Sequence, residues 1–431
     1  MATMTTTTTM LRRRLMLVFA ATALLLASCG GGADRTKAQV RLVNASAYPA
    51  LDLRVDNSVR QGGVGYGATA NTVEVEPNEP DVAITQQGSA TALLSLRPAL
   101  AAKKHYTVLA YGNVGALRHV VLDENQGQAD NNRTALRVLN GAADAGPLDV
   151  YLTGTDDALA TAVPVQSGAA FGTLGASFSH GSGSWRLRVT AAGDKDDVRL
   201  DVTGVVLPSR GVATLVLASG SGGMLVDALL VQQQGAITRH DNTATRVRAV
   251  HGLAAANSVQ LSAAGRTLLN LATPAATTYV NVPAGTVTPQ LSVNGTTRTA
   301  PALTLNGGAD VTLLVHGEPA TAALVALADD NRIPAGSNQV RVRLVNGVAG
   351  AVGGLTLTVD FAPLAQDVAA GAASGYGTVT ANASADLQVT SAGSATPLFT
   401  ANDHPLVAGG VYTVFVVGSA QAPVGFVRRD R

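Results

Sequence analysis

The sequence predicts an all-β chain, four tandem Ig-like antiparallel β-sandwich repeats following an N-terminal signal segment. Three observations carry that prediction. Short runs rich in Val, Leu and Thr, several alternating apolar with polar residues, are bounded by Gly, Asn, Asp and Pro. One opening phrase returns four times, at a spacing close to the size of a small sandwich. No long stretch with the helical period follows the signal segment.

The signal segment is the first element. Residues 1–14, MATMTTTTTMLRRR, are polar and then basic, and residues 15–27, LMLVFAATALLLA, are apolar without a charge. These are the n-region and h-region of a signal peptide, too short for a comfortable membrane span. The apolar run ends in Leu26-Ala27-Ser28-Cys29, which resembles the lipobox of bacterial lipoproteins. The resemblance implies removal of residues 1–28 and a lipid on Cys29 as the new N-terminus. Each buried methylene is worth about 0.8 kcal/mol, so two or three acyl chains make a lasting anchor. Residues 29–38 then form a lipidated tether with a reach of roughly 15–18 Å. Gly30 stands where an Asp would suggest retention at the inner membrane, so the resemblance favours the outer membrane of a Gram-negative bacterium. Cys29 is the only cysteine, which excludes an intramolecular disulfide framework and a Cys-cluster metal site.

The repeats follow. VRLVNAS at 40–46, LRVLNGA at 136–142, VRAVHGL at 247–253 and VRLVNGV at 342–348 open them, at spacings of 96, 111 and 95 residues. A second alternating strand follows each opening: LDLRVD at 51–56, LDVYLTG at 148–154, VQLSAAG at 259–265 and LTLTVD at 355–360. An aromatic then recurs at Tyr66, Phe171, Tyr279 and Tyr376, and a Thr-containing strand recurs in YTVLAYG, ATLVLASG, VTLLVHG and YTVFVVG. The resulting repeats span 39–125, 134–234, 245–330 and 339–431. A propeller would need four strands in each 40–45 residues, and the repeats have no half-period. With 1 Trp, 8 Tyr and 7 Phe, the cores must be built from Val, Leu and Ala. Trp185 starts a strand and is expected to be a core or sheet-face anchor, while the extra polar sequence at 154–184 is expected to form loops.

These four openings, with the following L-D, the central G-Y-G and the late Y-T-V-x-x-x-G, resemble the bacterial extracytoplasmic family called domain of unknown function 4397. The third repeat departs most: His251 replaces the Asn, Val259-Gln260 replaces the L-D pair, and Val280 follows the aromatic. The resemblance implies a fold and a location and no mechanism.

The search for chemistry returns little. G-x-S-x-G, H-E-x-x-H and G-x-x-x-x-G-K-[ST] are absent. The seven histidines, at 105, 119, 180, 240, 251, 316 and 404, are scattered without metal-ligand pairing. His251 sits where Asn44, Asn140 and Asn346 stand; Asn and His both tolerate left-handed backbone, so these side chains are expected to satisfy turn backbone groups. Asp123-Glu124-Asn125, Asp130-Asn131-Asn132, Asp241-Asn242 and Asp329-Asp330-Asn331 cluster at the junctions, either as ordinary turn residues or as calcium ligands. The acids open to a catalytic test are Asp156, Asp157, Asp196 and Asp197.

Charge narrows the classes. Lys and Arg number 30 against 29 Asp and Glu, which argues against a nucleic-acid partner held by a basic field. Removal of residues 1–28 takes away Arg12, Arg13 and Arg14 and no acid, leaving 27 against 29. The expectation is a non-enzymatic, membrane-anchored lipoprotein presenting sandwiches to a protein or glycan partner, with no cofactor. A row of four such domains would extend on the order of 130 Å. The alternatives are a periplasm-facing envelope scaffold and a hydrolase of envelope polymers.

Overall fold

The computed structural model describes residues 36–254 and 258–431. The signal segment, Cys29 and all but the end of the tether lie outside the described residues. Apart from the two short 3-10 turns at Leu159–Thr161 and Pro319–Thr321, every regular element described is a strand. No helix among the described residues is long and apolar enough to cross a membrane.

The strands form four successive units of two main sheets each, with an extra two-stranded sheet, Gly285–Val287 with Leu303–Leu305, in the third. In the first, one sheet runs in the order Val73–Val75, Ala38–Ser46, His105–Asn113, Ala116–Asp123. The other runs Ser58–Gly65, Ala50–Val55, Val82–Gln86, Ala92–Leu96. The later units repeat this plan, with opening strands at Arg133–Asn140, Ala244–His251 and Gln339–Ala349. The predicted sandwich repeats are therefore present, with one feature that strand counting does not reveal. Within each otherwise antiparallel unit the opening strand pairs in parallel with a late strand, the penultimate one in units 1, 3 and 4 and Gly211–Ser219 in unit 2: Ala38–Ser46 with His105–Asn113, and likewise in the other three. A parallel pair needs a long crossover, and here the whole second sheet is that crossover.

Alternation sets the cores. In the opening strand Val40 and Leu42 point inward to meet Leu51, Leu53 and Ile84 of the facing sheet. Equivalent clusters of Val, Leu and Ala fill the other three units, each large aliphatic contributing about 1.5–3 kcal/mol when buried. Trp185 packs half-buried against the second core and donates its indole N–H to the Gly181 carbonyl at 2.9 Å, as an anchor would. The 154–184 segment is less irregular than expected, since it contributes the short strands Gln166–Ala169 and Phe178–Gly181. These add edges to both sheets of unit 2, whose first sheet also continues past residue 234 through Ile237–His240.

The extended row does not form. Units 1 and 2 bury their first sheets against each other through Val43, Leu109, Tyr111, Leu139, Val216 and Leu229. Units 3 and 4 do the same through Val250, Leu314, Val345, Phe415 and Val417. Backbone bonds join the two pairs: Gly222 N–H donates to Gly308 O at 2.9 Å and Asn331 N–H to Gly222 O at 3.0 Å. The strand pattern misleads here because Val43, Leu139, Val250 and Val345 occupy outward positions and read as ordinary sheet-face valines and leucines, yet all four are fully buried.

Candidate functional site

The outward side of each opening strand also carries an arginine: Arg41, Arg137, Arg248 and Arg343. In three units its Nε–H donates to a threonine on the parallel partner strand. Arg41 meets Thr107 at 2.8 Å, Arg248 meets Thr312 at 2.8 Å and Arg343 meets Thr413 at 3.1 Å. That threonine hydroxyl in turn donates to an acid at or just past the end of the following strand: Thr107 to Glu124 at 2.5 Å, Thr312 to Asp329 at 2.6 Å, Thr413 to Asp430 at 2.5 Å. The acid always lies two residues beyond the threonine's cross-strand partner, Leu122, Leu327 or Arg428. In unit 2 that position is Gln233, two beyond Val231 opposite Thr214. Arg137 accordingly has no hydrogen bond or ion pair among the described residues. Gln233 instead holds the linker, donating to Gln126 O at 2.9 Å.

These arginines also cross the sheet-to-sheet interface. Arg343 of unit 4 pairs with Asp329 of unit 3 and donates to Ala328 O at 2.9 Å, while Arg248 of unit 3 forks onto Asp430 of unit 4. Arg41 reaches the Gln232 and Gly235 carbonyls of unit 2 at 2.8 and 2.5 Å, beside the place where unit 2 lacks its acid. Burial pushes the Asp329 carboxyl up, but Arg343, Arg248 and the Thr312 and Tyr279 hydroxyls outweigh it and hold it below the usual carboxylate range. The recurrent aromatics complete the brace. Tyr279 lies between Arg246 and Arg248 at 4.5 and 4.7 Å, and Tyr376 between Arg341 and Arg343 at 4.7 and 4.8 Å. Tyr66 and Phe171 stack on Arg239 and Arg118 across the interface of units 1 and 2.

The inward asparagines act on turns, as expected, with one correction. Asn44 Oδ1 accepts from Ser46 N–H at 3.0 Å while its Nδ2 donates to the Tyr48 and Val64 carbonyls. Asn140 and Asn346 make the same bonds to Ala142 and Val348. His251 keeps half of the function, its Nδ1 accepting from Leu253 N–H at 3.1 Å, while its buried Nε2 has no partner among the described residues. All four residues are in strands and none has a positive φ, so it is their side-chain chemistry and not left-handed backbone that selects them.

Most of the junction acids are arginine partners: Glu124 pairs with Arg41 and Asp329 with Arg343, whereas Asp123 accepts from Asn125. Asp241 is forked by Arg239, Asp330 by Arg332 and Arg341, and Asn331 donates to Asp310 at 2.7 Å. No group of three or more His, Cys, Asp or Glu side chains among the described residues is placed to hold a metal. Asp157 accepts from Gly154 N–H in a loop turn and Asp156 lies beside it. Asp196 and Asp197 lie at the start of Asp194–Leu207, where they line a cleft of about 1090 Å³ between units 2, 3 and 4. Asp197 is bound by Arg199 at 2.5 Å, and Arg246, Tyr279 and Arg428 face it across the cleft.

The interface arginines are what sequence reasoning missed. The signal was present in the four V-R or L-R openings and the four strand threonines; Glu124 and Asp329, at or just past the ends of last strands, were read as junction residues, turn-formers or calcium ligands, and Asp430 was not singled out.

Comparison with known proteins adds a family and little else. No curated protein matches the chain. A solved structure, "The Bacillus anthracis TIE protein", is similar at 9% identity over 85% of this chain, which spans 65% of that one, with a TM-score of 0.16 that bears no weight on the fold. The family described as Domain of unknown function (DUF4397) matches residues 38–151 and 245–353, just over half of the sequence. The protein belongs to the DUF4397 family.

Proposed function

We propose that the protein is an envelope lipoprotein, anchored through Cys29 to the outer membrane, whose four sandwiches are all copies of the family's domain and bind a protein or glycan without catalysis. The observation that carries this reading is the paired arrangement. Burying one sheet of every unit against a neighbour, with Arg–Thr–acid braces in units 1, 3 and 4, makes a compact body whose remaining sheets lie away from the paired interfaces. Such a body displays fixed surfaces, which suits recognition. The acids open to a catalytic role do not favour a hydrolase: Asp157 holds its own loop and Asp197 is bound by Arg199.

The test is retention of the full chain on isolated envelope material that has been left intact, stripped with protease, or oxidised with periodate. Retention that one treatment abolishes supports the reading and names the partner class. Absence of retention on all three preparations overturns it.

A further inference from the structure

The outward sheet of unit 3 carries a row of amide and hydroxyl side chains. Its four strands run Arg266–Leu271, Val259–Ala263, Gln290–Val293, Thr296–Arg298. Val259, Leu261, Leu291 and Val293 point into the core, so the alternate residues point out. Register lines them up across the sheet: Asn270, Gln260, Ser292 and Thr297 in one row, and Thr267, Ser262 and Gln290 in the next. All seven line a shallow cavity of about 710 Å³, with no carboxylate on its walls. None of the seven side chains is hydrogen-bonded to another described residue. Arg298 closes one end with a buried Nε that also has no partner among the described residues. A β-bulge at Leu268, opposite Leu261 and Ser262, locally bends the edge strand Arg266–Leu271 beside this face.

The same position serves the fold elsewhere. Asp52 in unit 1 accepts from Gly63 and Gly88 N–H at 2.7 and 3.0 Å, and Asp149 in unit 2 accepts from Gly168 and Gly193 N–H at 2.7 and 2.9 Å. In unit 3 that residue is Gln260, which makes no such bond. Elsewhere on the unit 2 sheet Arg186 is forked onto Asp201 at 2.7 Å, although the buried Nε atoms of Arg188 and Arg199 have no partner among the described residues. Unit 3 therefore presents free amides and hydroxyls where units 1 and 2 hold a carboxylate closed by two glycine amides; unit 4 has Thr356 at this position, also without a hydrogen bond among the described residues.

We propose that this face of unit 3 is a binding site for an uncharged, hydroxyl-rich polysaccharide, an inference that rests on the binding function proposed above. Side-chain amides offer a donor and an acceptor side by side, as vicinal diols and acetamido groups do, and hydroxyls can play either part. One row crosses four strands, about 14 Å, which suits a short run of sugars better than a single one. Protein partners are recognised mainly through buried aromatic and Arg anchors, and this cavity has no aromatic residue. Without a stacking platform the affinity is weak, on the order of 0.1–1 mM per site.

The test is affinity electrophoresis of the full chain through gels containing soluble β-glucan, galactomannan, dextran or, as a charged control, alginate. At least one neutral polymer retards the wild type. The Gln260→Ala/Gln290→Ala variant loses at least tenfold in affinity at unchanged melting temperature, and Ser292→Asp does the same by adding a charge. Asp196→Ala, in the other cleft, leaves the retardation unchanged. The proposal is overturned by retardation in alginate alone, by none in any neutral polymer, or by Gln variants that match the wild type. Wild type and Gln variants retained equally on envelope material would remove this site and leave the binding function standing; no retention of either would remove that function itself.

Discussion

Arg248 of the third unit and Asp430 of the fourth form a forked, fully buried ion pair across the interface, with Arg248 Nη2 donating to Asp430 Oδ2 at 3.1 Å. The same carboxylate accepts from Thr413 Oγ1 at 2.5 Å, so it is held from both units at once. Desolvation of such a pair offsets much of its attraction, but deleting one partner strands the other charge in the dry interface. Asp430→Asn is therefore expected to cost about 3–5 kcal/mol, measured by denaturant unfolding. Arg248→Met with Asp430→Leu is expected to cost less than either single change. Additive losses in the cycle would show that the two groups act independently.

Asp310 gives a pH dependence of known sign. Its carboxyl is buried against Arg246, Asn331 and Asp329, and burial, opposed by Arg246 and Asn331, pushes it up to about 6 from an ordinary 3.8. The folded chain then holds this proton more tightly than the unfolded one, so the Asp310 contribution to stability falls as pH rises from about 4 to 6 and stays low above that. Asp329 and Asp330 work oppositely: Arg343 and Arg248 hold the first below its ordinary range, and Arg332 and Arg341 the second, both against burial. Their stabilisation is present above pH 4 and lost on acidification below it. Asp310→Asn is expected to flatten the window between pH 4 and 6 and leave the acid limb intact, as followed by melting temperature against pH.

Much of the fold was legible because each repeat restates the same strand sequence, and alternation alone separates Val40 and Leu42 from Arg41. The turn role of Asn44 was legible for the same reason, since its side chain acts within a few residues. Pairing of the units was not. Val43 and Val345 look the same to a pattern reading whether water or another sheet covers them. The Arg248–Asp430 bond joins residues 182 positions apart, a separation at which local sequence carries no signal. The polar face of unit 3 was visible only as the odd Val259-Gln260 and became a candidate site once register aligned Gln260 with Asn270 and Ser292.

The proposed lipid anchor is tested at one atom. Replacing the Cys29 thiol by a hydroxyl in Cys29→Ser removes the nucleophile that would carry the lipid. The variant is expected to leave the membrane fraction, and its N-terminal peptide to lose the mass of the acyl groups. A variant that stays membrane-bound would mean that attachment has another source.

Phe361 breaks a local rule and gains no packing from it. It is the second residue of the hairpin turn between Leu355–Val359 and Ala362–Val368, where Asp360 and Phe361 have φ of 48° and 66°. The matching turns use Asp56-Asn57 in unit 1 and Ala264-Gly265 in unit 3, all with positive φ. Such turns favour Asn and Gly because a left-handed backbone costs an ordinary side chain roughly 1–2 kcal/mol. Phe361 recovers none of that by burial, being 84% exposed. Phe361→Asn is therefore expected to stabilise the chain by about 1 kcal/mol, read as a higher denaturation midpoint at unchanged slope. A fall in stability would mean that the aromatic ring packs against the chain after all and that the turn is held by that contact.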